Sequence, residues 1–436
     1  MALLQKIKNL YRALPPWMTA GVRLVPDGVV FGKSYRKCLA SVNVANVRSN
    51  LKIALDYARE HTASGGEHVP ADIRVEDAAE ILRGMPVVSS DELAAEPERF
   101  VSDEATDYNS YWTTTGGTGR NPTSIRLSNA SYGIEWKHMH AIWGDEYLRR
   151  RDLKLTFRGY HLKEGELIRF DPIYNELSVD PFQLNDSNFM EFVHKVRRYK
   201  VTCLHGYPSL ISMFMERLKS TGETFHVKLI FLGSEGASVE LKRQLSEFFN
   251  AKVISWYGQT EKVVLAYDAD ATGRFVNFSS YGYPWILNPG DNGIGEIIGT
   301  TFVNRAMPLV NYRTGDYGRI VYEDDKIVLE DVQGRWGKDF VYLTKGDKIP
   351  TSAINLHDGI QQKILFYQIV QNEYGKIDVK VLPKSGFVPE LICKELAGEL
   401  EARLKGFEIK CIAVRSDAEF VRSSRGKMIM LVQNIK

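Results

Sequence analysis

The chain has 436 residues, of which 44% are hydrophobic and 25% charged, with a formal net charge of +2 at pH 7. These values are typical of a folded protein with enough residues for two or more domains. So small a net charge does not indicate nucleic acid or an anionic membrane as a partner. We find no signal peptide and no apolar run of about 18 residues, so we expect no membrane span. The cysteines are scattered without a CxxC pair, which favours free thiols in a reducing cytoplasm; they are Cys38, Cys203, Cys393 and Cys411.

The first predicted element is an amphipathic helix over residues 3–14, which ends at Pro15. Its apolar residues recur at helical spacing, with Lys6, Lys8 and Arg12 between them. Such a helix either packs on its own protein or touches a membrane surface. Peripheral membrane contact therefore stays open at this point.

The next hundred residues predict short helices separated by loops. Ser89 precedes Glu92 by three positions, the spacing of a helix capping box. The predicted segments in chain order are a helix over 45–61, a loop at 64–66, a helix over 78–83, an extended segment at 85–88 and a helix after Ser89.

Residues 113–123, here called the Thr/Gly loop, contain hydroxyl residues and glycines but nothing able to build a core. Glycines allow backbone N–H groups to face an anion, and hydroxyls donate to its oxygens. The composition therefore suits a polyphosphate. It equally suits a flexible linker, so the remaining chain must decide between the two.

Strands and helices alternate from about residue 150, which predicts an α/β domain with a largely parallel sheet. Ser209 is a candidate cap for the helix over 210–219. The other predicted helices begin near Phe189 and Leu241. The predicted strands are 153–157, 167–170, 201–204, 227–232 and 252–256.

Polar or glycine-rich segments follow three of these strands, at 205–209, 233–236 and 257–261. In parallel sheets ligands bind at the carboxyl ends of the strands. One such segment would be an ordinary turn, but three in succession favour a binding site.

The rest of the chain predicts two further regions. Residues 265–333 have the alternation of short antiparallel strands, and a break follows at 334–339. The segment after the break predicts a separate α+β unit, with a strand pair at 364–370 and 377–382, a helix over 392–404 and a strand at 409–414. A basic loop at 422–427 comes close to the end.

Five motifs occur in the order found in the adenylate-forming, or AMP-binding, superfamily, which the chain resembles over roughly residues 85–430. They are Thr115–Gly119, Tyr257–Glu261, Tyr312–Asp316, Gly334 with Arg335, and Arg425–Lys427. Within that superfamily the chain resembles phenylacetate–CoA ligases and their capsule-polysaccharide relatives, through Gly206–Ser209, Ser234–Gly236 and Met307–Asp316.

The resemblance implies an α/β fold in two domains. The N-terminal domain, residues 1–333, would have mostly parallel sheets flanked by helices and a small β-rich part. A hinge at 334–339, with Lys338 and Asp339, would connect it to a small α+β lid over 340–436. Lys427 could reach the site only if the lid folds over it, so we expect the lid to rotate between half-reactions.

The resemblance also implies an ATP-dependent, AMP-forming ligase. A carboxylate would attack the α-phosphate of Mg²⁺-bound ATP and release pyrophosphate, and a nucleophile would then displace AMP. CoA is the leading second substrate. An amine or a sugar of a surface polysaccharide is the alternative acceptor, and Thr344–Ile349 matches only loosely the loop that serves the second half-reaction. A nucleotide-binding protein without catalysis is a third interpretation. We expect the protein to be a monomer or a homodimer.

The resemblance assigns roles to individual residues. Thr260 and Lys427 would contact the α-phosphate, and Glu261 would hold Mg²⁺. The implied nucleotide ligands are Thr114, Thr115, Gly116, Gly117, Thr118 and Gly119 for the phosphates, Ser234, Glu235, Gly236, Tyr257, Gly258 and Gln259 around the base, and Asp316 and Arg335 for the ribose. Residues that fit either an acyl pocket or the protein core are Tyr132, Trp136, Tyr207 and Pro208.

Overall fold

The computed structural model describes residues 20–114, 123–158, 160, 162–181, 183–185, 187–334, 340–344, 348–350, 360, 363–404, 406–422 and 428–435. The predicted helix at 3–14 and residues 115–122 of the Thr/Gly loop lie outside this part of the chain. So do Arg335, Lys338, Asp339 and Lys427.

Helices surround the sheets, and most of those predicted from the sequence are present. The helices are α1 Asp27–Val30, α2 Gly32–Lys37, α3 Val47–His61, α4 Ala63–His68, α5 Ala78–Gly84, α6 Ser90–Ala95, α7 Asn129–Trp143, α8 Phe189–Arg197, α9 Pro208–Ser220, α10 Val239–Phe249 and α11 Pro389–Arg403. Ser89 caps α6 as predicted, since its hydroxyl accepts the backbone N–H of Glu92 at 3.1 Å.

The strands before residue 334 are β1 Ser110–Thr114, β2 Ser124–Ser128, β3 Lys154–Phe157, β4 Ile168–Asp171, β5 Glu176–Val179, β6 Cys203–Gly206, β7 Leu229–Leu232, β8 Lys252–Gly258, β9 Leu265–Asp268, β10 Phe275–Asn277, β11 Gly282–Leu287, β12 Gly295–Thr301, β13 Tyr312–Glu323 and β14 Lys326–Gln333. Those after it are β15 Phe340–Tyr342, β16 Lys348–Pro350, β17 Ile364–Glu373, β18 Lys376–Pro383, β19 Glu408–Ala413 and β20 Leu431–Gln433.

One large sheet organises the described residues before 334. Its strand order is β11-β12-β13-β14-β10-β9-β8-β7-β6-β3-β5-β4. The run β8-β7-β6-β3-β5 is parallel, as the strand–helix alternation predicted, whereas the β-rich region joins it through antiparallel pairs beginning at β8 and β9. Strand β5 was not predicted from the sequence.

Alternate residues of the parallel strands pack on opposite faces of this sheet, because side chains of a strand point alternately to either side. Leu229 and Phe231 of β7 join a core cluster with Trp143 of α7. Ile230 and Leu232 join the cluster formed with α8, α9 and α10. Both faces are therefore covered by helices, which explains the continuous apolar sequence of β7.

The segment after residue 340 forms its own four-stranded sheet, in the order β19-β18-β17-β20, with α11 packed on it. Its core cluster is separate from those of the large sheet and includes Ile369, Val379 and Leu396. It touches the rest of the protein through α9 and α10, where Lys384 Nζ donates to Gln244 Oε1 at 3.2 Å. The α+β character predicted for this segment agrees with the structure, while the boundaries 333 and 340 stay a prediction.

Two local predictions were wrong. Residues 64–66, predicted as a loop, belong to α4, whose start is capped by the Thr62 hydroxyl accepting the Gly65 N–H at 2.9 Å. A Cβ at Gly65 would lie 2.0 Å from the carbonyl oxygen of Ala58, so glycine allows α4 to pack closely against α3.

Ser209 is not a cap, because α9 begins one residue earlier, at Pro208. Proline suits the first position of a helix, where no N–H donor is needed.

Candidate active site

A cavity of about 1350 Å³ opens at the carboxyl ends of β3, β6, β7 and β8. Its position follows from the topology, because the carboxyl ends of parallel strands lie at one edge of the sheet. The predicted site residues that line it are Tyr132, Trp136, Tyr207, Ser234, Glu235, Gly236, Tyr257, Gly258, Gln259, Thr260, Glu261 and Asp316. Pro208 does not line it and is instead buried at the first position of α9. Thr114 ends β1, and its side chain lies outside the described part of the structure.

Tyr257, near the end of β8, and Asp316, on β13, are joined by a hydrogen bond. The Tyr257 hydroxyl donates to Asp316 Oδ2 at 2.9 Å, and the Thr314 hydroxyl accepts the backbone N–H of Asp316 at 3.1 Å. Burial, followed by the charge of Asp316, raises the pKa of Tyr257 well above its usual value. The phenol therefore stays protonated and holds the carboxylate in one orientation at the cavity wall.

Glu261 is a nearly buried carboxylate, 7% exposed, at the cavity wall beyond β8. Its Oε1 accepts a hydrogen bond from the Tyr312 hydroxyl at 2.9 Å. The adjacent Lys262 points its ammonium group to Glu135 instead, so Lys262 does not neutralise Glu261 in this arrangement. A hard oxygen ligand thus faces the cavity at a defined position.

The turn after β7 has a backbone conformation that brings it close to the cavity. Ser234 has a φ of 70°, in the left-handed region that is uncommon for residues other than glycine. A Cβ at the preceding Gly233 would lie 2.3 Å from the Trp256 ring. Glu235 is held at the start of α9, where its Oε2 accepts the Ser209 N–H at 3.2 Å. The turn is therefore fixed from both sides.

One end of the cavity is aromatic. Trp136 stacks on Phe31 with ring centroids 4.8 Å apart and on Tyr174 with centroids 4.9 Å apart. Because Trp136 also lines the cavity, it belongs to both the core and the pocket wall. The two interpretations that the sequence left open for these aromatics are therefore compatible.

Buried polar atoms without a partner among the described residues also line the cavity. They include Ser255 Oγ and His205 Nδ1. Buried polar groups are normally hydrogen-bonded, so an unpaired set at a cavity marks a place for a polar ligand.

Sequence reasoning missed several lining residues, including Glu135 and Arg158, and it gave Thr314 no role of its own within the Tyr312–Asp316 motif. Arg158 directly follows β3 and so shares the edge of the sheet with the predicted loops. The only sequence signal for Arg158 was its position after a predicted strand. A single arginine at such a position is not distinctive. Glu135 lies inside α7 and had no signal.

The chain is similar to known proteins in sequence and in fold. Residues 178–289 match the family model described as AMP-binding enzyme. A phenylacetate–coenzyme A ligase of Thermus thermophilus is 22% identical over 220 residues, covering 46% of this chain and 48% of the relative. The alignment thus spans about half the length of that curated relative.

Solved structures are similar over most of the chain. A 2-hydroxyisobutyryl-CoA ligase in the postadenylation state, in complex with R3-HIB-AMP, aligns with a TM-score of 0.63 at 17% identity, covering 89% of each chain. The same ligase in complex with 2-HIB-AMP and CoA in the thioesterification state aligns with a TM-score of 0.54 at 16% identity, covering 97% of this chain and 94% of that one. The chain therefore has the fold of these ligases.

Proposed function

We propose that the protein is an AMP-forming ligase that activates a carboxylic acid as its acyl adenylate and transfers the acyl group to CoA. The observation that carries the proposal is one cavity with a polar wall, suited to a nucleotide, and an aromatic end. Asp316, Tyr257 and Glu261 form the polar side, and Trp136 and Tyr132 the aromatic side. The family match and the ligase fold support this assignment.

In the first half-reaction an acid oxygen attacks the α-phosphorus of ATP, the bond to the bridging oxygen breaks and pyrophosphate leaves. Two anions must approach, so positioning and neutralisation of charge dominate the barrier. Asp316 would accept hydrogen bonds from the ribose hydroxyls, the Ser234–Gly236 turn would line the base, and Thr260 would donate to the α-phosphate. The Thr/Gly loop would hold the outer phosphates.

Magnesium fits the residues present. Mg²⁺ is commonly held by one or two carboxylates together with substrate phosphates and water, and Glu261 supplies such a carboxylate, held by Tyr312. No cluster of three or more His, Cys, Asp or Glu able to hold a metal occurs within the described part of the chain, which agrees with a metal that arrives with the nucleotide. When bound, the ion would spread the negative charge of the phosphates.

Lys427 would stabilise the charge that develops between the acid and the α-phosphate. It would come from the segment after residue 340, rotating about 334–339 between the half-reactions. Removing one such group typically slows the reaction about a hundredfold. These roles, like those of Arg335, Lys338 and Asp339, rest on the motif order in the sequence.

In the second half-reaction the CoA thiolate attacks the acyl carbon and AMP leaves. The loose match of Thr344–Ile349 keeps an amine or a polysaccharide sugar as the alternative acceptor.

We also propose a cytoplasmic location. Among the helices described by the structure, none has the length and apolar character needed to cross a bilayer.

ATP–pyrophosphate exchange with a broad panel of carboxylic acids tests the proposal. We expect exchange with at least one acid, and about a hundredfold loss in Lys427→Ala with ATP binding retained. Lys410→Ala, an exposed lysine on β19, is the matched control and should exchange like the wild type. Silence with every acid would support a nucleotide-binding protein without catalysis, and full exchange in Lys427→Ala would remove that lysine from the mechanism.

The acceptor is tested separately, after the adenylate has formed. CoA, cysteamine and a panel of amines and sugars are added in turn, and the products are identified by mass spectrometry. A CoA thioester supports the leading version. Product only with an amine or a sugar would replace CoA as the acceptor.

A further inference from the structure

We propose that the activated acid carries a second anionic group, which Arg158 and His205 bind at the end of the cavity away from Asp316. The inference deepens the proposed function and rests on it. It concerns a part of the cavity to which the sequence motifs assign no role, although His205 begins the polar segment 205–209.

Arg158 and His205 are brought together by strand pairing. Arg158 directly follows β3, and His205 lies on the neighbouring parallel strand β6, where it pairs with Thr156. An N–H of the Arg158 guanidinium donates to His205 Nε2 at 3.0 Å. Both residues line the cavity, beside Trp143 of α7, whose ring centroid lies 5.8 Å from that of His205.

Three buried hydrogen-bond donors belong to these residues and have no acceptor among the described residues. Because His205 Nε2 accepts from Arg158, its ring proton is on Nδ1. The Nδ1–H of His205, the Nε–H of Arg158 and the Nε1–H of Trp143 are all buried and have no partner among the described residues. His205 and Trp143 are 5% and 1% exposed. A ligand with several acceptor oxygens that enters this end of the cavity would supply acceptors to this set.

The charge at this place is also unbalanced. Burial, followed by the charges of Arg158 and Lys154, lowers the pKa of His205 well below its usual value, so the imidazole is neutral and Arg158 is the cation.

Glu176, a carboxylate on the neighbouring strand β5, is engaged by other groups and not by the guanidinium. Glu176 accepts from the hydroxyls of Thr156 and Tyr160 and lies 4.0 Å from the ammonium of Lys154. Arg158 forms no ion pair with a carboxylate in the described part of the chain. A carboxylate or phosphonate ligand would supply both the missing charge and the acceptors.

The position of Arg158 also limits the length of the acid. β3 is three strands from β8, after which Thr260 and Glu261 follow. Neighbouring strands lie about 4.8 Å apart, so the strand ends are separated by roughly 14 Å. The arginine side chain shortens that distance, but a long or aromatic spacer between the two acidic groups is expected to fit better than a single methylene.

Matched acids test the inference in the exchange assay. Phenylacetate is compared with its para-carboxy, para-phosphono and para-hydroxy derivatives, and octanoate with octanedioate and malonate. We expect kcat/KM for the best dianionic acid to exceed that of its monoacid at least tenfold. Arg158→Met should lower kcat/KM at least tenfold for the dianionic acid and less than threefold for the monoacid. Arg158→Lys should recover part of the preference for the dianionic acid.

Arg198→Met, at an exposed arginine after α8, is the control and should keep the wild-type preference. Thermal melting of the wild type with each acid is a second test that needs no variant. The dianion should raise the melting temperature more than its monoacid.

Three results would overturn the inference. The first is exchange that does not favour a dianion over its monoacid or its neutral hydroxy analogue. The second is an equal loss with both kinds of acid in Arg158→Met, which would assign Arg158 to the nucleotide or to packing. The third is silence with every acid, which would remove the proposed function and this inference with it.

Discussion

At the scale of single residues, the site depends on tyrosines that orient carboxylates. Tyr257 donates to Asp316 and Tyr312 donates to Glu261, each at 2.9 Å. Each phenol holds an acidic side chain that must meet ligand oxygens or a metal in one geometry. The sequence placed Tyr257 near the base, but its hydrogen bond to Asp316 required the antiparallel return of the chain from β8 to β13.

Tyr257→Phe removes that hydrogen bond while keeping the ring. A hydrogen bond of this kind contributes about 1 kcal/mol, so we expect the KM for ATP to rise about fivefold with kcat nearly unchanged. Steady-state exchange kinetics measure both. Tyr322→Phe, at a tyrosine that is 60% exposed, is the control. An unchanged KM would contradict the role of the Tyr257 hydroxyl.

Lys154 predicts a pH dependence of stability. Complete burial lowers the pKa of this lysine to about 8. The unfolded chain, with an ordinary lysine pKa near 10.4, binds more protons than the folded chain between these values. The free energy of unfolding should therefore gain about 1.5 kcal/mol from this group as the pH rises from 8 to 9.5.

Urea denaturation of the wild type and Lys154→Met at several pH values measures this contribution. Their difference in unfolding free energy should shift in favour of the wild type as the pH rises. Lys252→Met, at a half-exposed lysine, should show no such shift relative to the wild type. A pH-independent difference for Lys154→Met would show that burial does not perturb this lysine.

At the scale of elements, most helices and strands could be predicted because their periodicity is local. A nearly continuous apolar run marked β7, and the spacing of apolar residues marked α3 and α10. The misses have tertiary causes. α4 contains two glycines and depends on its contact with α3, and β5 is a short strand of mixed polarity, buried by its neighbours.

The two glycines of α4 make a matched test of that contact. A Cβ at Gly65 would lie 2.0 Å from the backbone of Ala58, whereas a Cβ at Gly66 would be in ordinary contact, 3.5 Å from Arg59. Gly65→Ala should lose about 1–3 kcal/mol of stability through overpacking. Gly66→Ala should gain about 0.5–1 kcal/mol, because alanine favours the helix.

Thermal and urea denaturation of both α4 variants measure these changes. Opposite signs are the expected result. Equal effects would show that α4 does not pack on α3 as the structure describes.

At the scale of the whole molecule, the segment after residue 340 docks on α9. Arg217 Nη2 lies 3.7 Å from Asp417 Oδ1, and Asp417 Oδ2 also accepts from Arg422 at 2.8 Å. Arg422 directly precedes the basic segment that contains Lys427. The docking contact and the proposed catalytic lysine are thus close in sequence.

Arg217→Met should weaken this docking. A partly exposed ion pair contributes up to about 1 kcal/mol, so we expect cleavage by proteinase K between residues 334 and 340 to become up to about fivefold faster. Arg243→Met, whose arginine pairs only within α10 in the described structure, is the control. Unchanged cleavage would show that this contact does not hold the two parts together.

The sequence by itself determined the α/β alternation, the β-rich region, the polar strand ends and the order of the motifs. These are local properties of composition, periodicity and spacing. Only the tertiary structure decided which side chains meet. The pairing of β3 with β6 brings Arg158 to His205, and β13 brings Asp316 to Tyr257. Such contacts join residues far apart in the chain, and a single sequence contains no local signal for them.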